Sequence, residues 1–365
     1  MKPISKEEIV YWTALSSTPG IGPITFFKLI KIFGSAKKAW FSTQKTMENH
    51  KFSSQVSILI SRRNNSLDPF EFYSSIIKGG IETVCLLEKK YPKLLKNINN
   101  PPPVLYYQGT LKEIDNRSLA VVGTRKPSSK GRATTKKLVS HLSKQNITII
   151  SGLARGIDGV AHQTALENNG RTVAFLGGGI DRIYPAEHKF LASKIIQNGC
   201  IFSEYPPGIS PQRGSFLARN RLISGMSLGV LIIEGLSKSG TTNTANHAKK
   251  QNKPVFIVSE SKSSSLSSGP KFLLKQGAIK VNSADDILNH LNLRNNDAQK
   301  KEKSRSENNI SKEEQIILDL LKNNSLETDQ IINLSGLNTT TVLTTLSKME
   351  IKAVIKNNLG RFQRV

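Results

Sequence analysis

From residue 118 to about residue 293, apolar and polar positions come in alternating blocks. Six short runs, "LAVVG", "ITIIS", "TVAFLG", "CIFSE", "GVLIIEG" and "VFIVS", are separated by segments of helical length. Runs that are apolar at every position, rather than at every second one, belong to strands buried on both faces. Strand and helix in turn predict an α/β fold, a parallel sheet with helices on both sides. Right-handed crossovers then gather the loops that follow the strands along one edge. Open sheets of this class bind their ligands there.

The flanks read differently. Up to about Gly79 the pattern is helical, and "PGIGP" is a tight turn followed by a helix with Phe26, Leu29, Ile30 and Phe33 on one face. Turn and helix resemble a helix-hairpin-helix unit, whose main-chain N–H groups hold a DNA phosphate without reading bases. A small bundle that uses the turn for packing accounts for it equally, since Thr25 and Lys28 are the sole polar candidates nearby. Next, "YPKLLKNINNPPPVLYYQG" carries Pro101, Pro102 and Pro103, which favour extended chain before a short apolar strand and suggest a bridge between domains. Residues 294–310, "RNNDAQKKEKSRSENNI", have almost no apolar side chains and read as a linker. Residues 311–365 have the outline of a winged helix: three short helices and a two-stranded hairpin, with Thr328 and Asn338 as N-caps and Gly336 in a turn. The expected organisation is a helical domain over 1–79, the sheet domain over 80–293, the linker, and the winged helix over 311–365.

Charge narrows the class of partner. With 52 Lys+Arg against 27 Asp+Glu the chain carries a formal +25, which attracts polyanions, although abundant Lys, Asn, Ser and Ile also fit a plain compositional bias. Cys85 and Cys200 stand far apart with no CxxC spacing, which fits a reducing cytoplasm and gives no disulfide framework. The six His residues are scattered without metal-ligand spacing, and no metal is expected. No apolar run approaches the roughly 20 residues that span a bilayer, and "MKPISKEEIVYW" lacks a signal-peptide core. A cytoplasmic protein is expected.

Five loops fall on the strand-end edge. In the first, "GTRKPSSKGR", Gly123 permits a sharp turn, Arg125 and Lys126 bring cations, and a helix begins near Ser128. N–H groups at a helix start beside a guanidinium fork make a phosphate clamp. In the second, "SGLARGIDGVAHQTAL", Gly152 and Gly156 admit close approach of the main chain and Arg155 adds charge. Asp158 and His162 lie at i and i+4, a spacing that suggests acid–base work. The preferred alternative has Asp158 orienting Arg155 or capping the helix while His162 packs beneath, because no nucleophile or second carboxylate is fixed beside them. The third, "LGGGIDRIYPAEHKFLA", brings Arg182, His188 and Lys189. The fourth, "SEYPPGISPQRGSFLARNRLISG", carries Arg213, Phe216, Arg219, Asn220 and Arg221; the Arg–Asn–Arg run suits a phosphate path, and Phe216 either stacks on a base or packs in the core. The fifth, "EGLSKSGTTNTANHA", puts Gly240 and Thr241 at a helix N-terminus. Neither GxGxxG nor GxxxxGK[ST] occurs, so no nucleotide cofactor is expected. A mononucleotide needs one or two such sites; a run of phosphates uses them all.

In order and spacing, "VVGTRKPSSKGR", "IISGLARGIDGVAHQTAL", "TVAFLGGGIDRIYPAEHK", "SEYPPG", "FLARNRLISGMS" and "VLIIEGLSKSGTTNTA" resemble the DprA/Smf (DNA-processing protein A) family. The resemblance runs from about residue 8 to residue 290. It implies an extended Rossmann-like sheet between an N-terminal helix-hairpin-helix/SAM-like domain and a C-terminal winged helix. It also implies a non-catalytic cytoplasmic homodimer that binds single-stranded DNA in natural transformation and loads RecA recombinase, with single-strand-binding protein as a further contact. By motif match, the DNA-binding set includes Gly123, Thr124, Arg125, Ser151, Gly152 and Lys189, with Arg219 and Arg221 beside them. Three departures stand out: "SGTTNTA" has polar Thr242 and Asn243 where apolar residues are usual, Ser259-Glu260 replaces a Pro-Gly, and Lys271 an Asn.

Two other classes are weighed against this one. Nucleotide phosphoribohydrolases share such a sheet, but their "PGGxGT" segment is followed by a catalytic Glu, and no Glu follows on the helix after "SKSGTTNTANHA". A transcription factor would read bases through residues 338–350, which carry one Lys and one Glu. A protein-contact or structural role fits that helix better.

Overall fold

The computed structural model describes residues 4–237, 239–258, 268–293, 311–322, 324–351, 354–358 and 360–364. The proposed linker and the Ser259-Glu260 departure lie outside these residues. The chain divides into two compact units, Met1–Leu293 and Arg294–Val365.

Six helices open the first unit: α1 (Lys6–Ser16), α2 (Pro23–Phe33), α3 (Ala36–Trp40), α4 (Gln44–Asn49), α5 (Ser54–Ser66) and α6 (Pro69–Lys78). The turn before α2 forms as its glycines dictate, with Gly20 at φ +86° and Gly22 as N-cap ahead of Pro23 at the first helical position. Phe26 and Leu29 are fully buried on the expected stripe. Lys28, one of the two polar candidates, is engaged internally: its Nζ donates to the Lys51 carbonyl (3.2 Å) and lies 4.4 Å from the centre of the Phe52 ring. Trp12, Leu15 and Trp40 share one apolar cluster with Cys85 and Val104 of the sheet. The helices and the sheet edge therefore pack as continuous core across residue 79.

The sheet has nine strands among the described residues: β1 (Glu82–Cys85), β2 (Val104–Gly109), β3 (Ser118–Val122), β4 (Thr148–Ser151), β5 (Thr172–Phe175), β6 (Cys200–Ser203), β7 (Val230–Ile232), β8 (Val255–Val258) and β9 (Ile279–Val281). Their order is β1-β2-β6-β5-β4-β3-β7-β8-β9. From β6 to β9 all neighbours are parallel, whereas β2 is antiparallel to both β1 and β6. The six apolar runs became β3 to β8. The stretch after the prolines became β2, an integral strand rather than a bridge.

Helices α7 (Lys93–Lys96), α8 (Ser129–Lys144), α9 (Ile157–Glu167), α10 (Lys189–Asn198), α11 (Arg213–Gly225), α12 (Gly240–Lys250), α13 (Ser268–Lys275) and α14 (Ala284–His290) follow. Along β3, Ala120 and Val122 face a core built with Leu222, Ile223 and Ala245 of α11 and α12. Leu119 and Val121 face the opposite core, against Leu138, Val139 and Ile157 of α8 and α9. Burial on both faces is what an uninterrupted apolar strand requires.

In the second unit α15 (Lys312–Leu320), β10 (Leu326–Glu327), α16 (Thr328–Ser335), α17 (Thr339–Ile351), β11 (Ile355–Asn358) and β12 (Arg361–Arg364) form a winged helix around Ile317, Ile331, Val342, Leu346 and Phe362. Two details correct the sequence reading. The wing is three-stranded, in order β10-β12-β11, because Leu326 and Glu327 pair with Phe362 and Arg361. The N-cap of α16 is Glu327 and not Thr328: the Gln330 side chain accepts the Glu327 N–H (3.0 Å), which fixes the helix start one residue earlier. Asn338 does cap α17, its Oδ1 accepting the Thr341 N–H (2.9 Å), and Gly336 takes the left-handed conformation that ends α16.

The N-terminal edge of the main sheet is closed by an ion pair. Arg171 Nε donates to Asp115 Oδ1 (2.5 Å) and Nη2 to Oδ2 (2.8 Å), with Asp115 only 3% exposed. Thr148 Oγ1 and the Lys112 N–H complete the carboxylate's partners. Arg171→Ala leaves that carboxylate buried without its cation and is expected to cost about 3–5 kcal/mol. Urea unfolding of the variant, compared at equal m-value, checks this.

Candidate nucleic-acid interface

After β3 the chain builds outward through β4, β5 and β6, then returns to place β7 on the other side of β3. The loops leaving β3 and β7 therefore diverge, and a crevice opens at their C-terminal ends. Glu234 ties its two walls together. Its carbonyl accepts the Thr124 N–H (2.8 Å), and its buried carboxylate accepts the Ser128 N–H (2.9 Å) and the Ser128 hydroxyl. Ser128 Oγ in turn accepts the Gly131 N–H (2.9 Å), which caps α8.

Gly156, at φ +80°, starts α9 against the Arg125 loop: a Cβ there would lie 2.2 Å from the Thr124 oxygen and 2.7 Å from Arg125 Cα. Its spacing signal in the sequence thus has a steric cause. The crevice itself is a cavity of about 790 Å³. Gly123, Thr124, Arg125, Phe216, Arg219, Asn220, Gly240 and Thr241 line it, so eight of the sequence candidates meet. The half-buried Phe216 ring is the hub: it lies 5.8 Å from the Arg125 guanidinium carbon and 5.5 Å from the Tyr184 ring, over Gly177, where a Cβ would meet it at 2.6 Å. Arg125 and Lys126 are exposed. Thr242 and Asn243, the polar departures, have partners: the Thr242 hydroxyl donates to the Leu236 carbonyl (3.1 Å), and Asn243 Oδ1 accepts from Asn220 Nδ2 (3.2 Å).

Several candidates turn inward. Arg219 is 4% exposed and donates through Nη1 to the carbonyls of Gly152 (2.8 Å) and Phe175; burial pushes its pKa down to about 10. It braces two strand ends and is not placed as a free phosphate ligand. Arg221 pairs with Glu204, both largely buried, and lies outside the cavity lining. The Ser151 hydroxyl is buried and donates to the Val121 carbonyl (2.7 Å). His188 is held by its Nδ1 at the Leu153 carbonyl (2.9 Å), and Lys189, at the exposed start of α10, stays outside the cavity. Arg155 is exposed and paired with Glu187 (Nη2 to Oε2, 3.1 Å), not with Asp158. The guanidinium holds the Glu187 carboxyl down at about 2. Gly152, Arg155, Arg125, Tyr184 and Phe216 share a small adjoining pocket.

An arginine and a tyrosine at the site lie outside the DNA-binding set drawn from the sequence. Arg213, exposed at the start of α11, lines the cavity and was read only as one charge in its loop. Tyr184, 46% exposed, reaches Phe216 through the fold of the third loop; nothing in its spacing marks it.

Asp158 and His162 do not form a working pair. Asp158 Oδ2 accepts the Gly152 N–H (3.1 Å) near the Arg219 guanidinium, so it neither orients Arg155 nor caps α9. Burial raises its pKa, and Arg219 pulls the other way. His162 packs beneath the helix, fully buried. Thr172 Oγ1 gives its proton to the Ile149 carbonyl (2.8 Å), so His162 Nδ1 donates to Thr172 Oγ1 (2.7 Å). Burial, then His188 and Arg219, push the imidazole pKa down to about 3. The unfolded chain takes up this proton near pH 6.5 and the folded chain does not. Stability is therefore expected to fall as pH drops from about 6.5 towards 3, and His162→Gln to flatten that fall in thermal melts across the window.

Among the described residues no helix is long and apolar enough to cross a membrane, and no three His, Cys, Asp or Glu side chains gather as a metal site. Residues 82–292 match the model of DNA recombination-mediator protein A, and residues 301–358 that of the DprA winged helix domain. Protein Smf of Synechocystis is 37% identical over 290 residues, 78% of this chain and 73% of that protein. DNA processing protein DprA of Bacillus subtilis is 39% identical over 217 residues, 59% of this chain and 73% of its own. The structure of Streptococcus pneumoniae DprA aligns with a TM-score of 0.67 at 29% identity, covering 78% of this chain and 97% of that one. Helicobacter pylori DNA processing protein A, described for its single-stranded DNA binding mode, aligns at TM-score 0.53 and 34% identity over 58% and 95%. The chain belongs to the DNA recombination-mediator protein A family, the DprA/Smf proteins.

Proposed function

We propose that this chain binds single-stranded DNA without sequence preference along the strand-end edge and passes it to RecA recombinase during natural transformation. The observation that carries the reading is the cavity where β3 and β7 part, in which the Arg125 loop, Arg213, the N-terminus of α12 and the Phe216 ring converge. Guanidinium groups and main-chain amides hold phosphates of any sequence, and an aromatic face accepts any base. Tyr184, tilted by 47° beside Phe216, offers a second ring. Arg219, Asp158 and Ser151 act from below, fixing the loops that present these groups.

The reading assigns no catalysed step. The acid and the imidazole of the second loop are both committed to internal hydrogen bonds. A cytoplasmic homodimer, with single-strand-binding protein as a further contact, belongs to the same proposal and rests on the likeness to the family. The winged helix is assigned a protein contact, because α17 offers one Lys and one Glu to a DNA groove.

Anisotropy of a labelled oligothymidylate across a salt series tests the site. Each phosphate contact adds roughly 0.7 to the slope of log affinity against log salt on single strands. Arg125→Ala is expected to weaken binding and flatten the slope by about that amount. Phe216→Ala is expected to weaken it by about 1–3 kcal/mol with the slope intact. Wild-type affinity and slope in both variants would refute the clamp.

A further inference from the structure

A second concavity, of about 720 Å³, lies on the helical layer between α8 and the start of α10, floored by α9. Arg132 and Lys136 of α8 form one wall, Phe190 the other, and Gly156 and Gly159 part of the floor. We propose that a single strand leaving the strand-end cavity continues over the Arg125–Gly156 junction into this groove. Arg132 and Lys136 take its phosphates and Phe190 takes a base. The inference rests on the single-strand reading above and extends its footprint.

Charge selects the occupant. The sequence of α8, "SKGRATTKKLVSHLSK", carries five Lys and Arg and no acid; that of α10, "KFLASKIIQN", carries two Lys and no acid. The acid lining the groove, Glu187, has its charge taken up by Arg155. A second copy presenting this same face would set cation against cation here, whereas a polyanion releases its counterions into solution on entry. The aromatic group points the same way. Phe190 is 71% exposed, more than any other large apolar side chain among the described residues. A lone exposed ring beside cations, with Lys194 Nζ 4.5 Å from its centre, is a stacking platform rather than an apolar trough for a helix.

The linings of the two concavities touch through the main chain. Gly156 belongs to the groove, and its backbone lies directly on that of Thr124 and Arg125 of the cavity. The proposed strand crosses at this contact on its way from Arg125 to Arg132.

Oligothymidylates of about six and about twenty nucleotides separate the two sites, since single-strand sites commonly span about 4–16 nucleotides. The full chain should hold the longer strand more tightly and with a steeper salt slope. The double variant Arg132→Ala, Lys136→Ala should lower the long-strand slope by about 1.4, two contacts at about 0.7 each. Phe190→Ala should weaken long-strand binding about fivefold or more. Both should leave the short strand unchanged, while Arg125→Ala weakens both lengths. These are exposed side chains, and unchanged thermal melts confirm that the fold is kept. Long-strand binding unaltered in the groove variants, or losses equal on both lengths, overturns the extension and leaves the strand-end site standing. A wild-type chain that binds neither length overturns both.

Discussion

A buried carboxylate holds the centre of this molecule together. Glu234 sits where the sheet reverses its order, and its oxygens are satisfied by the loop across the crevice rather than by its own. A buried charge must find partners or be expelled, so the β3 and β7 loops are locked to each other although they diverge. The cap on α8, the course of the Arg125 loop and the seat of Gly156 all follow from that lock. Gly131 gives it room, since a Cβ there would lie 2.5 Å from the carboxylate. Beneath the rim, Glu234 and Asp158 both accept main-chain N–H groups.

The two edges of the sheet show the same chemistry put to opposite ends. On the N-terminal edge Arg171 is consumed by Asp115, and the ends of three strands are drawn shut. On the C-terminal edge Arg219 is consumed by main-chain carbonyls, which leaves Arg125 and Arg213 outward. A formal charge of +25 does not reveal this division, because a guanidinium that braces a strand end counts the same as one in solvent.

Much of this was legible in the chain. The strands β3 to β8 were, because apolar residues at every position have few other places to go. β9 was not: its middle residue is an exposed lysine and only Val281 is buried. β2 was seen as a strand but not as part of the sheet, since its partners in β6 lie some hundred residues on. The loops that carry the site were found from glycines and cations, and eight candidates converge. The candidates that turn inward have one thing in common. Arg219, Arg221 and Ser151 looked available because their partners come from elsewhere in the chain; Arg219 reaches carbonyls 67 and 44 residues away. Local pattern shows that a side chain is charged, and only the fold shows what it is charged against. Tyr184 was missed for the same reason.

The ends of the sheet carry a consequence for the protein's behaviour at high concentration. A free strand edge is a template on which other chains can pair and aggregate. At one end β1 lies under the amino-terminal helices, in shared core with Trp12 and Leu15. At the other, β9 offers three residues, and the central one is Lys280, exposed. An incoming strand at β9 would have to neutralise an ammonium group in return for few ladder bonds, so that edge is a poor template for growth.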